Sequence, residues 1–134
     1  MSTEPAGSAL GKILVADDNP QIVELIEAYL EALPVQVCHA GDGAATLAVV
    51  ERERPDLILL DIMMPKRSGY EVCRQLKADA RWQHIPVIMV TALNEVGDRD
   101  RARECGADEF IAKPVNKIEL LELVQRHLGR RPAK

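Results

Sequence analysis

Five short apolar runs, each bounded by turn or charged residues, alternate with segments of helical spacing. The runs are 12–16 (KILVA), 35–39 (VQVCH), 56–60 (DLILL), 85–90 (IPVIMV) and 109–112 (EFIA). Their length suits strands rather than helices. Between the first two, Ile22, Leu25, Ile26, Tyr29, Leu30 and Leu33 recur every three or four residues, an apolar stripe on one helix face. Residues 44–54, 70–80 and 116–128 behave similarly. Residues 95–105 (EVGDRDRAREC) carry few apolar side chains, so the fourth helix is expected to pack least firmly. Asn19-Pro20 supplies an N-cap and a proline at the first helical position. Gly106 sits where a helix ends with a left-handed residue.

Five strands alternating with five helices predict an α/β domain with a mostly parallel sheet. Residues 13–16, 57–60 and 87–90 are continuously apolar, as strands buried on both faces are. Residues 35–38 alternate, and 109–112 are short with a charge, which marks both as edges. Right-handed crossovers then fit the order 2-1-3-4-5, with other orders still open.

The 134 residues make one domain, and 47% apolar content is enough for a core. Small polar residues mark 1–11 as an N-terminal tail and 129–134 as a C-terminal tail, leaving 12–128 as the folded body. A net charge of −4 argues against a protein built around a nucleic-acid backbone. Cys38, Cys73 and Cys105 form no C-x-x-C pair and no Cys/His cluster, so they read as free thiols. The longest uncharged stretch has 13 residues, too short to span a bilayer. The start lacks a basic region followed by an apolar one, so a cytoplasmic location is expected.

In open α/β sheets ligands bind beyond the carboxyl ends of the strands. Asp17 and Asp18 follow the first run, Asp61 the third, Thr91 the fourth and Lys113 the fifth. In the order 2-1-3-4-5 three carboxylates crowd one crevice, with a hydroxyl and an ammonium on its other side. Like charges about 4 Å apart repel by roughly 4 kcal/mol at an effective dielectric near 20. Such a cluster must take up a proton or a cation. Carboxylate oxygens without His or Cys favour Mg²⁺, with Mn²⁺ as an alternative. A carboxylate nucleophile, a metal, a Lys and a Thr are the parts for phosphoryl transfer to an aspartate.

Four blocks in order then carry a family resemblance: the acidic pair in KILVADDNP, LLDIMMPKRSGYEVCRQLK, the strand end VIMVTA, and GADEFIAKP. The chain resembles a receiver domain of two-component response regulators over residues 12–128. The resemblance implies a flavodoxin-like doubly wound fold. It implies Asp61 as phosphoacceptor, Asp17, Asp18 and Asp61 with the Met63 carbonyl as metal ligands, and Lys113 and Thr91 as partners of the phosphoryl group. Thr91 and Phe110 become the switch pair, with Phe in place of the common Tyr. The Lys113–Pro114 bond is expected to be cis. Implied partners are a sensor histidine kinase or a phosphotransfer protein, and a downstream target or an output domain beyond residue 128. The face of helix four, strand five and helix five is a candidate surface for partners or a homodimer. No direct nucleic-acid or membrane contact is expected.

Taken singly, these residues have ordinary explanations. An acidic pair suits a helix N-terminus, Thr a strand, and Phe110 a core. His39, His84 and His127 read as structural or solvated. Arg99, Arg101 and Arg103 interleave with Asp98, Asp100 and Glu104 as a solvated, ion-paired face. Their joint placement at strand ends favours the switch. A Mg²⁺-dependent aspartyl-phosphate phosphatase is a rival, but Asp61-Ile62-Met63 lacks the second acid of D-x-D. A flavin carrier would want a phosphate cradle where the acidic pair sits. A docking module that works unphosphorylated is the remaining alternative.

Overall fold

The computed structural model describes residues 10–64, 66–92 and 96–129. Strands β1 (Gly11–Ala16), β2 (Val35–Ala40), β3 (Leu57–Leu60), β4 (Val87–Thr91) and β5 (Glu109–Ala112) alternate with helices α1 (Pro20–Leu30), α2 (Gly43–Glu53), α3 (Gly69–Lys77), α4 (Val96–Glu104) and α5 (Lys117–Gly129). All strand pairs are parallel, in the order β2-β1-β3-β4-β5. The three apolar runs are the interior strands, and the alternating and charged runs are the edges, as their patterns require.

Because successive strand residues face opposite ways, β1 and β3 feed two separate cores. Leu14, Ala16, Ile58 and Leu60 pack with Val50 of α2, Val72, Cys73 and Leu76 of α3, and Ala102 of α4. Ile13, Val15, Leu57 and Leu59 pack with Ile26 and Leu30 of α1 and with Leu120 and Val124 of α5. The helices thus lie two on one face of the sheet and three on the other.

Local signals set the helix ends. The Asn19 side chain accepts from the Gln21 N–H, with Pro20 opening α1. Ser68 and Glu71 form a reciprocal capping box at α3. After α4, Gly106 takes a φ of 97°. Its N–H donates to the Arg103 carbonyl and the Ala107 N–H to that of Ala102, which closes the helix in a Schellman motif. Among the described side chains of α4, Ala102 is the buried one, so this helix packs sparsely, as its composition implies.

Several boundaries differ from the sequence reading. β1 starts at Gly11, inside the expected tail. Gly11 pairs with Val35, and the Leu10 N–H donates to the Pro34 carbonyl. At the other end Gly129 belongs to α5, while residues 1–9 and 130–134 lie outside the described residues. α1 stops at Leu30, and Leu33 sits in the following turn against the second core. The buried row of α1 is Val23, Ile26 and Leu30, so Leu25 turns outward. β4 starts at Val87, because Pro86 has no N–H to give a ladder.

Candidate functional site

Sheet hydrogen bonding runs one residue past the strands and fixes the site's backbone. The Asp17 N–H donates to the Ala40 carbonyl (3.0 Å), the Asp61 N–H to Ala16 (2.9 Å) and the Lys113 N–H to Thr91 (2.8 Å). Three loops from neighbouring strands are thereby held in register. One oxygen from each of Asp17, Asp18 and Asp61 lies within 4.8 Å of the others. Asp17 and Asp61 are buried, and Asp18 is exposed. The sequence reading brought these carboxylates together, and the structure does so.

Lys113 enters from the far side. Its Nζ is 2.9 Å from Asp17 Oδ2 and 3.8 Å from Asp61 Oδ2. The other Asp17 oxygen accepts from the Asn19 N–H at 2.9 Å. The Asp17 carboxylate is therefore engaged on both oxygens. Thr91 is fully buried, and its side chain hydrogen-bonds Asp61, as does the Met63 backbone N–H. The Lys113–Pro114 peptide is cis.

Burial, and then the nearby Asp17 charge, push the Asp61 carboxyl up from 3.8 to about 6. Lys113, the Met63 N–H and the Thr91 hydroxyl pull the other way without cancelling that rise. Asp61 is thus a carboxylate held in excess negative charge. The donor set is all oxygen, clustered and under-neutralised, which fits a divalent oxygen-loving cation.

The α3 N-terminus presses on the acceptor loop. Gly69 has no Cβ, and one placed there would overlap the Asp61 carbonyl oxygen and come 2.8 Å from Ile62 Cα. The Gly69 N–H donates to the Ile62 carbonyl (2.8 Å). Phe110 is half-buried against the first core, and Met63 is 64% exposed. Leu93, two residues past Thr91, lies outside the described residues, as do the side chains of Asp98 and Arg99.

Arg101 is exposed, as expected, but stands outside the ion-paired pattern. Its guanidinium stacks 4.2 Å from the centroid of the Tyr70 ring, because Tyr70 follows Gly69 at the head of α3 and faces α4. Among the described residues, the Arg103–Asp100 contact (3.7 Å) follows the expected pattern. His127 is structural, paired with Glu109 at 3.0 Å. Gly69, Tyr70 and Arg101 were missed as site neighbours. The Ser68-x-x-Glu71 cap just after the Asp61 loop was the available signal for the first two.

The family model for the response regulator receiver domain matches residues 13–125. The chain belongs to the response regulator receiver domain family. This receiver is 46% identical over 114 residues to the response regulator PleD of Caulobacter vibrioides, covering 85% of this chain and 25% of PleD. It therefore spans about a quarter of that relative's length. It superposes on the signal receiver domain of a signal transduction histidine kinase from Syntrophus aciditrophicus with a TM-score of 0.84 and 38% identity, covering 92% and 95% of the two chains. The receiver domain of the sensor histidine kinase PA1611 from Pseudomonas aeruginosa aligns with a TM-score of 0.81 and 34% identity, over 89% and 98%. That structure has a magnesium ion coordinated in its active site cleft. No helix among the described residues of this receiver is long and apolar enough to cross a membrane.

Proposed function

We propose that this receiver is a phosphorylation-dependent switch whose acceptor is Asp61. The observation that carries the reading is a buried, under-neutralised Asp61 carboxylate with Thr91, Lys113 and two further carboxylates around it. The donor is a phosphohistidine on a sensor histidine kinase or phosphotransfer protein, and the setting is cytoplasmic. One Asp61 oxygen forms the new P–O bond, the P–N bond breaks, and its electron pair leaves with the imidazole. Asp17, Asp18, Asp61 and the Met63 carbonyl would hold Mg²⁺, which when bound offsets the charge of the phosphoryl oxygens.

Lys113 supplies a second positive charge, and the Thr91 hydroxyl and Met63 N–H supply donors. Once Asp61 is phosphorylated, Thr91 exchanges its carboxylate contact for a phosphoryl oxygen. That exchange biases the sparsely packed α4 and the half-buried Phe110. The α4–β5–α5 face then carries the signal to a partner, a second copy or an output domain. Slow hydrolysis of the acyl phosphate resets the switch.

The test is incubation with Mg²⁺ and acetyl phosphate, read by intact mass beside Asp61→Asn. One added phosphoryl group, absent from the variant and dependent on the divalent ion, is expected. An unmodified chain, with Mg²⁺ binding confirmed and trapping fast enough to catch a short-lived adduct, would replace the switch by a docking module.

A further inference from the structure

Beside the acidic crevice lies an open groove of about 580 Å³ lined by Asp18, Met63, Met64, Tyr70 and Arg101. Arg101 is exposed. Among the described residues its guanidinium makes no ion pair and no hydrogen bond; its contact is the Tyr70 ring. That ring is 5% exposed and fixed, because Gly69 abuts the Asp61 backbone and Ser68 and Glu71 cap the helix. Arg101 is therefore a full positive charge, flat against a rigid ring, with its N–H edges available. Lys113, by contrast, is bound to Asp17 at 2.9 Å.

A phosphodonor must bring a negatively charged phosphoryl group toward three carboxylates. Its approach is opposed until a cation offsets the field. We propose that Arg101 is a specificity-determining residue for the phosphodonor, attracting the dianionic phosphoryl group of a small acyl phosphate into this groove ahead of transfer. The inference rests on Asp61 being the acceptor. In the transfer, an Asp61 oxygen bonds to phosphorus, the P–O bond to the acyl group breaks, and the electron pair leaves on the departing carboxylate. No proton or redox partner is needed.

The test compares second-order phosphorylation rates of the full chain with Mg²⁺ and two donors, at low and high salt. Acetyl phosphate is a dianion at neutral pH, and phosphoramidate carries a net single negative charge. Arg101→Gln is expected to slow the acetyl phosphate reaction about fivefold and to flatten its salt dependence. Phosphoramidate is expected to slow less than about twofold, and Arg101→Lys to retain most of the acetyl phosphate rate. Arg101→Met provides a second neutral replacement should the Gln variant fold poorly. Unchanged acetyl phosphate rates would overturn the proposal. Equal losses with both donors would also overturn it, leaving Arg101 as a packing residue on Tyr70. No adduct from either donor on the unmodified chain would overturn the acceptor reading, and this one with it.

Discussion

Asp61→Asn is expected to raise the melting midpoint of the divalent-free protein by about 5–10 °C near neutral pH. The Asp61 carboxyl titrates near 6 in the folded chain against 3.8 for an unperturbed carboxyl. The folded state therefore holds this proton more tightly than the unfolded state does. Between those two values stability falls as pH rises, and above about 6 the whole penalty is present. A shift of this size corresponds to about 3 kcal/mol. The amide removes the charge that burial and Asp17 disfavour, and gives up the weaker help from Lys113.

Thermal melts from pH 4 to 8 in the presence of a chelator check this. The two proteins should converge at the acid end and separate above about pH 6. Added Mg²⁺ should narrow the gap, since a bound ion at 100-fold over its dissociation constant contributes about 2.7 kcal/mol to the unmodified chain. Parallel pH profiles would mean that Asp61 is not strained by its surroundings.

The second large effect belongs to a residue with no side chain. Gly69→Ala is expected to cost about 3 kcal/mol and to lower the yield of Asp61 phosphorylation several-fold. The new Cβ meets backbone on the Asp61 loop rather than the end of a flexible side chain. Relief requires either α3 or the acceptor loop to move. Gly97→Ala is the control within the same fold. Gly97 has open space around its Cβ position and sits in the first turn of α4, so Ala there should be neutral or stabilise by up to about 0.5 kcal/mol. Chemical denaturation of both variants, with phosphorylation yield by mass, distinguishes the cases. A Gly69→Ala protein as stable and as readily phosphorylated as the parent would mean that the loop yields freely.

The strand order was legible because burial writes itself into a strand. β3 and β4 are buried at every position, and β2 and β5 are not. The five core site residues were legible because each ends a strand, where topology alone brings them together. Helix phase was read less well. Leu25 has the right spacing for the stripe but faces outward, since α1 is wide enough in apolar residues to offer two faces and packing selects one. Contacts between helices were least legible. Nothing in an alternating charged segment says that Arg101 leaves its ionic neighbours for the Tyr70 ring, because that choice depends on how α3 and α4 sit in space.

The separation of the two cores makes the sheet a partition wall, with the acceptor on its rim. One compartment is closed by α1 and α5, the other by α2, α3 and α4. Asp61 sits on this rim with Lys113 at 3.8 Å and Gly69 against its backbone. The α4–β5–α5 face takes one helix from each compartment, joined at the edge strand β5, so repacking on either side of the wall reaches it.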